Sequence, residues 1–450
     1  MIELWKPYHM LRLVLPPQRL IPERVYRRSQ YAFPFEADGR NCLFHVLTRQ
    51  CYDLEGLKMP EGTVSGADLA QSVLLNQLVK DGFFVPAEKD EDAYYVEVIR
   101  LLRRLKHREG RVTFTILPTT ACNARCVYCF EEGMVQQTMS PETAARTLDF
   151  ICDTRRKEET LWLNWFGGEP LLGTHVIDRI CRGLTERSIP FASNMTTNGS
   201  LIDENVLERM NGPWHIKKVA ISMDGDEEAY FRRKKYYNYR DTYRQVIEAA
   251  GIMAGQGIDV NLRINVDWEN LSGIDRFADD LERILEDPSV IRFYLQPLHS
   301  EWLKESIPDL WNQIGAYQMA LESRGFSAYF RTEPRRLKLM RCPAHDPERH
   351  AIIAPDGGLY ACDKCVPGTI LGNIRNGIED QAAFDSMAAL PSVQEKCRGC
   401  AMLPECTTTT QCPLTLACCK ETRHIQLLWA LRREVAHLDA PAAADEEDDG

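Results

Sequence analysis

The stretch ACNARCVYCFEEG, residues 121–133, holds three cysteines in the spacing Cys122-x3-Cys126-x2-Cys129. A [4Fe–4S] cube normally takes four thiolates. Three leave one iron without a protein ligand, a defect in a structural site but an open coordination position in a catalytic one, as with open and closed zinc sites. Zinc knuckles pair a CxxC with a second CxxC or a His pair about 12–20 residues on, and no such pair follows Cys129. The spacing therefore points to an iron–sulfur site built for chemistry, rather than to zinc.

Around this loop, residues 112–325 alternate in period. VTFTILP reads as a strand running into the cysteines, and SPETAARTLDFICDTRRK as a helix with Ser140 at its N-cap and Pro141 in its first turn. LWLNWF, FASNMTT, KVAISMD, DVNLRINV and IRFYLQPL follow as strands. THVIDRICRGLTER, LIDENVLERM, DTYRQVIEAAGIMAGQG, GIDRFADDLERILED and LWNQIGAYQMALESRG are the intervening and closing helices. Six strand–helix units imply a parallel sheet covered by helices. In closed or partly closed barrels, sites form on loops after the C-terminal ends of strands. The cysteine loop follows the first strand. FGGEP (166–170) follows the second, TTNG (Thr196–Gly199) the third, SMDG (Ser222–Gly225) the fourth, and RINVDWEN, with Arg263, Asn265 and Asn270, the fifth. Each alone is ordinary turn chemistry; together they line one rim. The paired glycines admit close approach of a ligand or of backbone, and Glu169 offers a carboxylate to a cation.

The composition sets limits. At 450 residues the chain is expected to hold two or three domains, and 44% hydrophobic content suffices for packed cores. No apolar run approaches a membrane span. The N-terminus lacks the apolar core of a signal peptide, so a cytoplasmic location is expected. Sixteen cysteines in a reducing compartment then read as metal ligands rather than disulfides. A net charge of −11 argues against non-specific nucleic-acid binding. RRKKYYNYR (232–240) has the look of a nucleic-acid or acidic-peptide patch, but a solvated loop or helix face is the favoured reading. The acidic tail 437–450 is expected to be disordered.

Cys122, Cys126 and Cys129 with Tyr128, followed one unit later by FGGEP, resemble the radical S-adenosylmethionine (SAM) superfamily over residues 111–325. The resemblance implies an α/β fold, a partial (β/α)6 barrel, and SAM chelated by its amino and carboxylate groups at the open iron. It maps the methionyl amino contact to Gly167, Gly168 and Glu169, with Thr197 and Asn198 beside it. Ribose and carboxylate contacts map to Ser222 and Arg263. Reductive cleavage of SAM would give a 5′-deoxyadenosyl radical, with the cofactor supplying the hard chemistry and the barrel excluding water. An external one-electron reductant is required.

Nine further cysteines fall in the C-terminal third. CPAHDPERHAIIAPDGGLYAC and CRGCAMLPEC resemble the SPASM extension of radical SAM maturases, placing a cysteine-rich domain at 326–436 with two auxiliary [4Fe–4S] clusters. The spacing departs from the family's after Cys406. Cys342, Cys362 and Cys412, with Cys365 as an extra candidate, are assigned to one cluster. Cys397, Cys400 and Cys406, with Cys418 or Cys419, are assigned to the other; two zinc sites are the competing assignment. Cys42, Cys51, Cys152 and Cys181 read as small buried hydrophobes.

Residues 1–110 show a hairpin around Asp38-Gly39, a helix stopping near Asp81-Gly82, a strand, and a second helix over EDAYYVEVIRLLRRLKHR. This small α+β module resembles the peptide-recognition modules of ribosomal-peptide maturases, which add a leader peptide to a sheet edge; a packing or lid domain is the alternative. The whole implies a maturase that abstracts hydrogen from a precursor peptide and forms a thioether or carbon–carbon cross-link. Formylglycine formation in sulfatases, or action on RNA or a small molecule, are the alternatives. A non-catalytic iron–sulfur carrier would need no GGEP segment.

Overall fold

The computed structural model describes residues 1–11, 18–106, 110–129, 131–133, 135–157, 159–237, 242–298, 304–330, 332–337, 343–363, 369–389, 392–406, 418 and 420–438. Cys342, Cys365, Cys412, Cys419 and the acidic tail from 439 onward lie outside the described residues.

The N-terminal module holds strands β1 (Ile2–Trp5), β2 (Val25–Arg28), β3 (Ala32–Ala37), β4 (Arg40–His45), β5 (Cys51–Asp53), β6 (Thr63–Ser65) and β7 (Phe84–Pro86), with helices α1 (Gly66–Ala70), α2 (Val73–Lys80) and α3 (Glu91–Lys106). Two small sheets form, ordered β1-β5-β4-β3 and β6-β2-β7. Asp38 and Gly39 both take positive φ, 49° and 69°, as a two-residue hairpin turn requires. The helix expected over 66–80 is two helices, because the Ser72 side chain accepts from the Leu75 N–H and starts a second one.

The barrel follows as β8 (Arg111–Thr119), α4 (Pro141–Thr154), β9 (Thr160–Gly167), α5 (Thr174–Glu186), β10 (Phe191–Thr197), α6 (Glu204–Asn211), β11 (Ile216–Met223), α7 (Glu227–Lys234), α8 (Thr242–Gly255), β12 (Asp259–Val266), α9 (Ile274–Ile284), β13 (Arg292–Pro297), α10 (Ile307–Ser323) and β14 (Ser327–Ala328). Ser140 caps α4 as expected, accepting from Thr143 N at 3.0 Å. From β8 to β14 every neighbouring pair is parallel. The helix α7 was not expected from the sequence.

Period-2 alternation sorts the strands' two faces. On β12, Val260, Leu262, Ile264 and Val266 are buried in the core shared with the helices. Asn261, Arg263 and Asn265 alternate to the opposite, concave face. The register sets Ser222 beside Arg263 and Arg263 beside Tyr294 in one layer.

The sheet also grows in the other direction. β15 (His350–Ile353) pairs parallel to β8, and β16 (Gly358–Tyr360), β17 (Ile370–Asn373) and β18 (Gly377–Ile378) extend it antiparallel. The cysteine-rich region therefore continues the barrel wall. It ends in α11 (Gln381–Ala388), the turn 397–406 and α12 (Lys420–Ala436). That turn and α12 share one apolar core with the N-terminal module: Trp5, Phe44, Leu47, Tyr95 and Leu102 pack with Cys397, Met402, Leu403, Leu427 and Leu431.

Candidate active site at the mouth of the barrel

The cysteine loop leaves β8 and folds back on itself. Thr120 N donates to Gln137 O at 2.9 Å, and Met139 N to Pro118 O at 2.9 Å. Its tip closes with Cys129 N donating to Cys126 O at 3.1 Å. Its flank docks on the end of α7: Arg125 N donates to Lys234 O at 3.0 Å, Val127 N to Arg233 O at 3.0 Å, and Tyr237 N to Asn123 O at 3.2 Å. Cys122, Cys126 and Cys129 are half-buried free thiols, and the charges of Cys126 and Cys129 bear on Cys122. Burial pushes the Cys122 thiol up to about 11. Burial also raises Cys126, against the pull of the Lys234 ammonium. Among the described residues no set of three His, Cys, Asp or Glu side chains already converges in ligating geometry. The donor chemistry, three thiols on one clamped loop, nonetheless fits an iron–sulfur cluster.

FGGEP locks this loop to the sheet. Gly168 N donates to Thr119 O at 3.1 Å and Glu169 N to Ala121 O at 2.9 Å. A Cβ on Gly168 would meet Ala121 O at 2.4 Å and Thr120 O at 2.5 Å; one on Gly167 (φ 119°) would meet Thr119 O at 2.3 Å. Both glycines are needed for backbone to approach backbone. Glu169 is fully buried. Its carboxylate accepts from Thr197 Oγ1 at 2.7 Å, Asn198 N at 2.8 Å and Leu171 N at 3.1 Å. Burial raises its pKa, and those three donors oppose the rise. Asn198 in turn donates to Asn123 Oδ1 at 2.8 Å and lies 3.9 Å from Cys122 Sγ. Glu169, Thr197 and Asn198 thus form a knot between the second and third strand ends, immediately behind Cys122.

A second network underlies the cysteine tip. Tyr128 donates to Asp224 Oδ2 at 2.8 Å and accepts from Asn265 Nδ2 at 3.1 Å. Asp224 is fully buried and faces Arg233 Nε at 3.4 Å. Arg233 also bonds Asp267 at 2.9 Å and lies over the Tyr128 ring at 5.4 Å. Lys234 is buried too, and donates to Ser222 Oγ at 2.5 Å. Burial raises the Asp224 carboxyl, while Lys234, Tyr128 and Arg233 hold it down. These cations come from RRKKYYNYR, in which Arg233 and Lys234 face inward as counter-charge while Arg232, Lys235 and Tyr237 are exposed. Residues 238–240 of that stretch lie outside the described residues.

The sequence reading omitted Asp224, Arg233 and Lys234 from the site. A usable signal existed: Ala229, Tyr230, Arg233 and Lys234 stand at one-face helical spacing, and all four are buried. Arg263 is exposed on the concave face, beside Ser222 in the strand register. Deeper in the barrel, Asn194 Nδ2 donates to Asn164 Oδ1 at 3.2 Å, Asn164 Nδ2 lies 3.5 Å from Thr115 Oγ1, and His350 Nε2 lies 3.1 Å from the same hydroxyl. His350 is held neutral by burial, at about 4.

In the C-terminal region, burial raises the Cys397 thiol, and the neighbouring Cys406, Cys400 and Cys418 add to the rise. All four are free thiols, and among the described residues they do not converge in ligating geometry. Of the other auxiliary set only Cys362, just after β16, is described. Cys42, Cys51 and Cys181 are buried as expected, and Cys152 is half-buried.

Residues 116–281 match the Radical SAM superfamily. The chain therefore carries a Radical SAM domain over these residues, and its C-terminal cysteine-rich region is consistent with a SPASM extension. It is 25% identical over 278 residues to an uncharacterised protein of Methanocaldococcus jannaschii, covering 60% of this chain and 90% of that one. It is 25% identical over 194 residues to an S-adenosylmethionine-dependent nucleotide dehydratase of a Thermoplasmatales archaeon, covering 42% and 64%. It is 22% identical over 326 residues to the serine-type anaerobic sulfatase-maturating enzyme of Klebsiella aerogenes, covering 66% and 76%. The chain thus spans just under two thirds of the dehydratase and about three quarters of the sulfatase-maturating enzyme. The structure of anSMEcpe with bound AdoMet and the Cp18Cys peptide shares the fold, with TM-score 0.55, 16% identity, and 73% of this chain and 99% of that one covered.

Proposed function

We propose that this radical SAM enzyme oxidises a peptide and closes a thioether or carbon–carbon cross-link in it. The carrying observation is a second group of free thiols, with Cys397, Cys400 and Cys406 on one turn, where Cys400 N donates to Cys397 O at 3.1 Å and Cys406 N to Leu403 O at 3.0 Å, and with Cys418 as the fourth. Removing one hydrogen atom from a side chain or Cα leaves a carbon radical. Joining that carbon to a thiol sulfur or another carbon expels one more proton and one more electron. The proton passes to solvent, and the electron needs an acceptor inside the protein. A four-thiol set fits a closed [4Fe–4S] cluster, whose potential range suits that role.

When bound, SAM and the cluster on Cys122, Cys126 and Cys129 supply the hydrogen-abstracting radical. The chain's own residues position it. Glu169 keeps one oxygen with a single donor, Asn198 N, leaving acceptor capacity for an ammonium. Ser222 and Arg263 on the concave face would take ribose and carboxylate, with Thr197 and Asn198 holding the knot behind them. With one auxiliary cluster on Cys397, Cys400, Cys406 and Cys418 and another on Cys342, Cys362, Cys412 and Cys365, the enzyme carries three clusters. The sulfatase-maturating relative and the peptide-bound neighbour of the same fold support a peptide substrate. The N-terminal sheet edges β1, β3, β6 and β7 offer places for a leader strand.

The test is incubation of reduced enzyme and SAM with synthetic peptides that carry a cysteine, read by tandem mass spectrometry. A product lighter by two hydrogens, with fragmentation blocked between two residues, is expected. An unchanged peptide with a converted nucleotide would refute the reading. Formylglycine at a Cys or Ser of a sulfatase peptide would establish the second reading, which the Klebsiella relative favours.

A further inference from the structure

Arg49 lies in the N-terminal module, on the turn after β4, and is fully buried. Its φ is 69°, a left-handed conformation that is strained for a non-glycine residue. The fold over-determines it: Arg49 N donates to His45 O at 2.7 Å, and Arg49 O accepts from Trp5 Nε1 at 2.7 Å. The guanidinium reaches across the seam to the C-terminal region. There it pairs with Glu405, also buried. Glu405 immediately precedes Cys406. Arg49 Nε and Nη1 are buried with no hydrogen-bond partner among the described residues. A buried charged donor without a partner is costly. A second tie runs in parallel: Gly399 N, between Cys397 and Cys400, donates to Asp92 Oδ2 of α3 at 3.0 Å.

We propose that Arg49 is a positioning residue of the auxiliary cluster site formed by Cys397, Cys400, Cys406 and Cys418. It fixes the Cys406 turn through Glu405 and places a buried positive charge beside the cluster. This rests on the reading that those thiols hold a cluster. A thiolate-ligated cube carries net negative charge, and nearby charge and hydrogen bonds to its sulfurs set its potential. A buried cation with unspent N–H donors stabilises the reduced form. The N-terminal module is then part of an electron-accepting site, besides any part in holding peptide.

The test uses the full chain with Cys122, Cys126 and Cys129 changed to Ala, so that only auxiliary clusters remain. Iron content and an EPR-monitored redox titration are compared for this background, Arg49→Gln and Glu405→Gln. Glu405→Gln removes a negative charge while keeping a partner for Arg49, and should raise the midpoint of one cluster. Arg49→Gln should lower that midpoint, or release about four iron atoms if the turn opens. The other auxiliary cluster serves as internal reference. If Arg49→Gln does not fold, Glu405→Gln decides alone: a raised midpoint supports the proposal, and an unchanged one overturns it. Absence of iron from the triple-Ala background would instead refute the underlying cluster reading.

Discussion

Gly168→Ala perturbs the site with the least chemistry and the most geometry. The added methyl would sit 2.4 Å from Ala121 O and 2.5 Å from Thr120 O, both backbone atoms. Ordinary carbon–oxygen contact needs about 3.4 Å, so the cysteine loop and β9 must part by about 1 Å. That stretches the Gly168–Thr119 and Glu169–Ala121 hydrogen bonds, now 3.1 and 2.9 Å, beyond bonding range. Two such bonds contribute about 2 kcal/mol, and a buried amide left unpaired costs about 1–3 more. A local loss of about 3 kcal/mol opens the loop about 100-fold more often, yet is too small to unfold a domain of ordinary stability. The variant should therefore keep its secondary structure by circular dichroism. After anaerobic reconstitution it should lose iron from the Cys122 loop and release 5′-deoxyadenosine at least about tenfold more slowly. Gly255→Ala, where a Cβ meets nothing within 4 Å, is the control and should be neutral or slightly stabilising. Wild-type iron and SAM cleavage in Gly168→Ala would refute the close-approach argument.

Asp224→Asn leaves Arg233 and Lys234 buried without their shared carboxylate, and should cost about 3–5 kcal/mol, measured as a lowered thermal midpoint together with weakened SAM binding. His45 accepts from Thr48 N at Nδ1 and lies 3.2 Å from Gly82 O through Nε2; burial lowers its pKa to about 3. A histidine with a lowered folded pKa stabilises above its unfolded value near 6.5 and loses that contribution as pH falls toward 3. Between pH 7 and pH 5 the loss should be about 2 kcal/mol, and His45→Gln should flatten this acid limb in urea titrations; an unaltered limb would mean other groups dominate. Deleting residues 1–110 should strip the 397–406 turn of its apolar partners and lower iron content, whereas a separable leader-binding module would leave iron unchanged.

The barrel was legible because its signals are local. Strand and helix periods, the Ser140 cap and the Asp38-Gly39 turn are each decided within a few residues. The rim residues were legible as a set, since the end of each strand carries its own polar punctuation. What the sequence concealed depends on contacts distant in the chain. Glu169 reads as a free carboxylate but is engaged by Thr197 and Asn198, a pairing that exists only once β9 and β10 are parallel neighbours. Arg233 and Lys234 read as surface because charge is usually solvated. Their burial is offset by Asp224, Asp267 and Ser222, which only the fold delivers. The union of the N-terminal module with the 397–406 turn was also invisible, because no local pattern records which of two apolar faces will meet.

The most direct measurement is iron and 5′-deoxyadenosine on one anaerobic preparation. The wild-type chain should hold about 12 iron atoms as three cubanes and, once reduced, cleave SAM even without peptide. Changing Cys122, Cys126 and Cys129 together to Ala should remove about four of those atoms and abolish 5′-deoxyadenosine release, while the auxiliary iron stays. Zinc in place of iron, or SAM cleavage that survives the triple substitution, would contradict the account.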